Sequence, residues 1–181
     1  MFRQLAAGLG ITLAVTLSST AVLAFTLEQV INDVESDYPQ VQHLPSANLA
    51  STLNKTAPLL LDVREADEFA VSRIPGAVRV SPGISKSKFL KEFAAMAKGR
   101  QVIMYCSVGV RSSELAEDVQ AELKASGAVS VHNLQGGIFR WHNQQRELID
   151  QTGSTEYVHP YNRKWGQLIK HADKAKYRPA H

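Results

Sequence analysis

The sequence predicts an α/β domain built on a small, mostly parallel sheet with helices on both faces. Short apolar runs at residues 59–63 and 102–105 have the near-continuous hydrophobicity of strands that are covered on both sides. Segments with apolar residues at helical spacing, such as Lys86–Ala97 and 111–126, alternate with these runs. This alternation is typical of strand–helix–strand units rather than of an all-helical or all-strand fold.

Residues 1–24 have the pattern of a secretory signal peptide. A cationic start with Arg3 precedes an apolar stretch at 5–15, and Val22 and Ala24 fit small-residue cleavage. The apolar stretch is shorter than the roughly 20 residues that a membrane helix needs. We therefore expect a cleaved leader and no stable membrane span, with the mature chain exported. It would be periplasmic in a Gram-negative bacterium and secreted otherwise.

An N-terminal helix is expected within residues 25–40, before the domain proper. Val30, Ile31 and Val34 share one face of it, and Pro39 ends the pattern. The next predicted elements are a strand at 41–44, a helix from an N-cap at Ser46 to about Leu53, the strand at 59–63, a helix at 66–71, a turn at 74–77, a strand at 78–80, the helix Lys86–Ala97 and the strand at 102–105.

The helix at 111–126 has the clearest pattern, because Leu115, Val119 and Leu123 are spaced by four residues. A strand at 129–131 and a short helix around Trp141 follow it. These last elements complete a predicted domain that spans residues 41–150.

Residues 151–181 are predicted to form a basic C-terminal extension, because the composition changes after a linker-like stretch at 151–155. The apolar residues that favour one helical stripe in this extension are Trp165, Leu168, Ile169 and Ala172. The stripe predicts a helix that docks on the domain and leaves a basic face in solvent. The alternative is a surface for a protein partner or for an anionic surface.

The bulk charge argues against nucleic acid as a main partner. The net charge is +3, and removal of Arg3 with the leader lowers it to +2. The histidines show no paired ligand spacing, and no glycine-rich phosphate loop is present. We therefore expect no metal and no cofactor.

Cys106 is the candidate nucleophile and is the only cysteine of the chain. A lone thiol in an exported protein indicates either pairing between molecules or reactivity, and the alternative is a buried cysteine that acts as a small apolar residue. Cys106 follows a predicted strand and precedes a predicted helix. Backbone N–H groups and the helix dipole stabilise an anion there, which favours a reactive thiolate.

The loop after Cys106 is expected to bind substrate through converging backbone amides, as an anion nest does. Its residues are Ser107, Val108, Gly109, Val110, Arg111 and Ser112. Gly109 permits close approach of the backbone to a ligand. Arg111 is expected either to add a positive charge or to brace the loop.

Three segments, at 61–77, 106–112 and 134–141, resemble the opening signature, the active-site loop and the closing segment of rhodanese-like domains, in the order of that family. The resemblance implies a rhodanese-like fold and an enzyme of the thiosulfate:cyanide sulfurtransferase type. Cys106 would take sulfur as a persulfide from a small sulfur-containing anion such as thiosulfate. A thiophilic acceptor, cyanide or a thiol, would then remove it.

Two other functions are considered beside the sulfurtransferase. One is a non-enzymatic rhodanese-like module that carries sulfur or binds a partner through its basic tail. The other, a cysteine phosphatase or arsenate reductase, is less favoured. Four residues separate Cys106 from Arg111, whereas the similar loops of such phosphatases have five and enclose a larger anion.

Asp62, Arg64 and Arg73 are candidate supporting residues. Asp62 ends a buried strand and needs a partner, so it would brace the loop or pair with Arg64. Ser107 and Val108 carry no cation, whereas some thiosulfate-using relatives have basic residues there. Arg64 and Arg73 are therefore the candidates for supplying positive charge near the loop.

Overall fold

The structure, a computed structural model, describes residues 25–179 of the chain, and the predicted leader lies outside them. The helices are α1 (Leu27–Asp37), α2 (Ser46–Lys55), α3 (Ala66–Val71), α4 (Lys86–Ala97), α5 (Val110–Ala125), α6 (Gly137–Asn143) and α7 (Arg163–Gly166), followed by a 3₁₀ turn at Ala172–Lys174. The strands are β1 (Gln42–Leu44), β2 (Leu59–Asp62), β3 (Val78–Arg79), β4 (Gln101–Tyr105), β5 (Ser130–Leu134), β6 (Leu148–Ile149) and β7 (Ser154–Thr155). In this part of the chain, no helix has both the length and the hydrophobicity to cross a membrane.

Five parallel strands form the main sheet in the order β1-β5-β4-β2-β3. Every residue of β2 is buried, and so are the last four residues of β4, as the apolar runs predict. The predicted α/β class is therefore confirmed. Asp62 pairs with Tyr105 in register, so β2 and β4 end at the same edge of the sheet.

Side chains alternate between two cores, one on each face of the sheet. On one face, Leu60 and Ile103 pack with α1, α2, α6 and the C-terminal extension. On the other face, Leu61 and Met104 pack with α4 and α5. Helices thus cover both faces, and the strand ends between them are left to carry loops.

Two local predictions are wrong, because side chains find other partners. Pro45, rather than Ser46, is the N-cap of α2, since the Ser46 hydroxyl donates instead to Gln144 Oε1 at 2.8 Å. The stretch predicted as a linker, 151–155, forms the turn and the second strand of the antiparallel β6-β7 hairpin. There, Asp150 Oδ1 accepts hydrogen bonds from Thr152 N at 2.7 Å and from Gly153 N at 3.2 Å.

The C-terminal extension docks as predicted, but it is not one helix. Within residues 151–179, only α7 and the 3₁₀ turn are helical, because the side chain of Asn143 binds the backbone between them. Asn143 Nδ2 donates to Leu168 O at 2.8 Å, and Asn143 Oδ1 accepts from Lys170 N at 2.8 Å. Val158, Leu168 and Ile169 are buried in the same core as α6 and anchor the extension to the domain.

Candidate active site

Cys106 lies where β4 leaves the middle of the sheet and the chain turns into α5. Gly109 is the N-cap of α5, and its backbone N–H donates to Cys106 Sγ at 3.2 Å. The Cys106 side chain is buried, with 1% of the residue exposed. The sulfur therefore occupies the helix N-terminus that the sequence predicts for it.

Gly109 and Asn133 fix the shape of this loop on the side that faces β5. Gly109 has φ +111°, and a Cβ there would lie 3.1 Å from Asn133 Nδ2. Asn133 is buried on β5, and its Oδ1 accepts a hydrogen bond from Ser112 Oγ at 2.7 Å. Sequence reasoning did not assign Asn133 to the site, since it lies on a strand distant from the loop in sequence.

The start of α6 holds the opposite side of the loop. Ile138 N donates to Cys106 O at 2.9 Å, and Phe139 N donates to Ser107 O at 3.0 Å. A side chain at Gly137 would clash with this backbone, because its Cβ would lie 2.7 Å from Ser107 O. The first turn of α6 thus binds two carbonyls of the loop, and Gly137 permits the close approach.

Arg111 braces the loop by a bidentate ion pair with Glu68. Its Nη1 lies 2.8 Å from Glu68 Oε2 and its Nη2 lies 3.0 Å from Oε1, while Ser107 Oγ bonds to both residues. Burial alone would lower the pKa of Arg111, but the hydrogen bonds with Glu68 and the charge of Cys106 raise it. The guanidinium is permanently charged, and a carboxylate compensates that charge.

Glu68 is a site residue to which sequence reasoning assigned no role, although it lies in the opening signature. It is 1% exposed on α3, where its Oε2 also accepts from Glu65 N at 3.0 Å. Burial raises the pKa of Glu68, but hydrogen bonds from Arg111 outweigh that effect and lower it. An acidic residue soon after a buried strand is the signal that could have indicated it.

Asp62 pairs with Arg64, which is one of the two roles predicted for it. Arg64 Nε and Nη2 lie 2.7 and 2.6 Å from the Asp62 carboxylate, and Nη2 also donates to Ser72 O at 2.6 Å. Tyr105 completes this buried cluster, since its hydroxyl donates to Asp62 Oδ2 at 2.7 Å. The cluster ties β2 to β4 beneath the loop.

Arg64 and Arg73, the two candidates for supplying positive charge near the loop, both have partners outside the loop. Arg64 is fully buried against Asp62. Arg73 donates to Asp150 O at 3.0 Å, and its guanidinium stacks 4.9 Å from the ring centre of Phe69. Both guanidinium groups are therefore bound elsewhere.

A cavity of about 150 Å³ adjoins Cys106. The domain contributes Ser107, Val108, Val110 and Arg111 to its lining, and the C-terminal extension contributes Tyr161 and Trp165. The guanidinium of Arg111 lies 4.8 Å from the ring centre of Tyr161. Sequence reasoning did not place these aromatic residues at the site, because their position depends on how the extension docks.

Within residues 25–179, no group of three or more His, Cys, Asp or Glu side chains is arranged to hold a metal ion.

A single thiol at the carboxyl end of a parallel strand, bound by the N–H of the N-cap residue of the next helix, defines an α/β protein with a cysteine-centred anion loop. The family comparison makes this class specific: the Rhodanese-like domain model matches residues 35–144. The chain belongs to the rhodanese-like domain family, as the resemblance of the three segments predicts.

Relatives share this domain within longer proteins. The tRNA uridine(34) hydroxylase of Bradyrhizobium diazoefficiens is 39% identical over 87 residues, which are 46% of this chain and 32% of the relative. The probable adenylyltransferase/sulfurtransferase MoeZ of Mycobacterium tuberculosis is 36% identical over 87 residues, 48% of this chain and 21% of the relative. The chain thus spans a third or less of these two relatives.

A solved structure confirms the fold. The thiosulfate sulfurtransferase of Pseudomonas aeruginosa superposes with a TM-score of 0.53 at 19% identity, covering 81% of this chain and 26% of that one.

Proposed function

We propose that this protein is a sulfurtransferase that moves sulfane sulfur from a donor such as thiosulfate to a thiophilic acceptor through a persulfide on Cys106. The observation that carries the proposal is the contact of Gly109 N–H with Cys106 Sγ in a loop with only four residues between Cys106 and Arg111. A short loop of amides suits one added sulfur atom better than a tetrahedral phosphate.

The proposed first step is a displacement at the outer sulfur of the donor. The Cys106 thiolate forms a new S–S bond as the sulfur–sulfur bond of thiosulfate breaks, and sulfite leaves with the electron pair. In the second step cyanide attacks the terminal sulfur of the persulfide, thiocyanate leaves, and the thiolate is regenerated. With a thiol acceptor, the product is the acceptor's persulfide. Each step conserves charge and needs no external oxidant.

Arg111 and Glu68 act in this proposal as positioning residues. Their bidentate pair fixes the loop through Ser107. The Gly109 N–H and the nearby Arg111 charge both favour a negative sulfur, although Glu68 compensates much of the Arg111 charge. We also propose that the protein works after export, which the leader pattern of residues 1–24 supports.

Mass spectrometry of the purified protein after exposure to sulfane-sulfur donors tests the proposal. We expect the gain of one sulfur atom with thiosulfate or an organic thiosulfonate, loss of that sulfur on addition of cyanide, and formation of thiocyanate. Cys106→Ser is the matched control, because it changes one atom of the side chain and should gain no sulfur.

Two results would contradict this function. Failure of the wild-type protein to gain sulfur from any donor would exclude a persulfide route. Loading without turnover by cyanide or by thiols would instead indicate the non-enzymatic sulfur carrier.

A further inference from the structure

We infer that Tyr161 and Trp165 form a specificity-determining wall that selects sulfur donors with an apolar, ring-sized substituent and a single negative charge over inorganic thiosulfate. This inference rests on the proposed persulfide chemistry of Cys106 and adds the class of donor. The two aromatic residues belong to the C-terminal extension, outside the segment that matches the family model.

The size of the cavity supports a ring-sized substituent. An apolar protein cavity of about 150 Å³ is large enough to bind benzene. The cavity beside Cys106 has the same volume and is lined by Val108, Val110, Tyr161 and Trp165 in addition to the polar loop residues. A sulfite group alone would leave much of this apolar surface without a partner.

The charges around the cavity disfavour a dianion. Arg111 is the only cationic residue among those that line it, and Glu68 compensates the guanidinium by a bidentate pair. Burial lowers the pKa of the neighbouring His159, which favours its neutral form. No lining residue therefore offers an unpaired positive charge to the second negative charge of thiosulfate, and Lys164, which lies 5.9 Å from the Trp165 ring centre, is not among the lining residues.

Tyr161 is held over the site by specific contacts. His159, 5% exposed, accepts a hydrogen bond on Nδ1 from Tyr161 N at 3.0 Å, and Tyr161 adopts φ +62°, which is uncommon for a residue with a side chain. Its ring stacks on the Arg111 guanidinium. With these contacts, Tyr161 lies in the lining of the cavity.

Trp165 is held by contacts with two other parts of the chain. Asn162 Oδ1 accepts from Trp165 N at 3.0 Å and so caps α7. The Phe25 ring meets the Trp165 ring edge-on, with 5.5 Å between ring centres. The two aromatic rings are thus fixed elements of the wall.

Three sulfur donors allow the effect of donor charge to be measured apart from the effect of donor shape. Methanethiosulfonate and benzenethiosulfonate carry the same single charge, so their ratio reports on the apolar wall, whereas thiosulfate carries two charges. In each case the Cys106 thiolate takes the outer sulfur, the S–S bond of the donor breaks, and sulfinate or sulfite leaves. We measure kcat/KM for all three donors in every variant. The intrinsic reactivity of each donor is the same throughout, so it cancels when the ratios of two variants are compared.

We expect Tyr161→Ala and Trp165→Ala each to lower the ratio of kcat/KM for benzenethiosulfonate to kcat/KM for methanethiosulfonate about tenfold. Their kcat/KM values with thiosulfate should change much less. Tyr161→Phe should keep the wild-type ratio, because the ring remains. Tyr157→Ala is the matched control: it removes a tyrosine of the same extension that does not line the cavity and whose ring contacts Lys176.

Unchanged ratios in both alanine variants, with thermal unfolding showing intact proteins, would overturn this inference while the persulfide function stands. Absence of persulfide from all three donors in the wild-type protein would overturn the proposed function as well. Point substitutions are preferred to deletion of the extension, because its buried residues Val158, Leu168 and Ile169 contribute to the core.

Discussion

Two arginine–carboxylate pairs stand near the same edge of the sheet, and they differ in what surrounds them. Asp62 and Arg64 are both fully buried, whereas Glu68 is buried beside an Arg111 side chain that is 22% exposed. The first pair contacts only the interior of the domain. The second contacts the loop, the cavity and the C-terminal extension. The comparison separates a pair that holds the strands from a pair that shapes the site.

Breaking the fully buried Asp62–Arg64 pair should have the largest effect on stability. We expect Asp62→Ala to lower the free energy of unfolding by about 3–5 kcal/mol, because it leaves the Arg64 charge buried without a partner. Chemical denaturation measures the change. The double variant Asp62→Leu/Arg64→Met should recover part of the loss, since it removes both charges. No recovery would mean that packing, rather than the unpaired charge, dominates.

Breaking the Glu68–Arg111 pair, the site pair, should reduce stability less and should change the selectivity between sulfur donors. Glu68→Gln keeps the shape but replaces one carboxylate oxygen, which accepts two of the four hydrogen bonds, by an NH2 donor, so we expect a loss of about 1–3 kcal/mol. It also frees the Arg111 charge beside Cys106. The ratio of kcat/KM for thiosulfate over methanethiosulfonate should therefore rise several-fold. A fall in this ratio would contradict the charge compensation that we assign to Glu68.

The site pair also makes a pH-dependent contribution to stability. The pKa of Glu68 is lowered in the folded protein, so the unfolded chain binds its proton at a higher pH than the native state. The stability that Glu68 contributes is present above its unfolded pKa of about 4.3 and is lost as the pH falls further. The difference in unfolding free energy between wild type and Glu68→Gln should shrink from pH 6 to pH 3. A constant difference would exclude this linkage.

An exposed ion pair should contribute least to stability. Lys86 Nζ lies 2.5 Å from Glu122 Oε1, but both side chains are about two-fifths exposed. Water and salt screen such pairs, so Glu122→Gln should leave the midpoint of thermal unfolding unchanged within error. A clear drop in that midpoint would show that distance, rather than burial, ranks the three pairs.

The sequence predicted those parts of the molecule that depend on neighbours along the chain. The buried strands and the helix after Cys106 follow from local apolar patterns, and the thiol at a helix N-terminus follows from one strand, one loop and one helix. The three segments that resemble the family also lie in the predicted order. These features need no knowledge of tertiary contacts.

The features that were missed depend on residues far apart in sequence. Glu68 meets Arg111 across 43 positions, and the docking of the extension brings Tyr161 to Arg111. The N-cap predicted at Ser46 is wrong because Gln144 takes its hydroxyl across 98 positions. Such pairings become visible only when the helices are packed on the sheet.

The division of the pocket between domain and extension has a consequence for substitutions in its lining. The residues that hold the sulfur lie within the segment common to the family, whereas Tyr161 and Trp165 lie beyond it. Substitution of the two aromatic residues would therefore change the proposed choice of donor while the thiol, the loop and the ion pair stay intact. The proposed sulfur-transfer step and the proposed choice of donor would then depend on different parts of the chain.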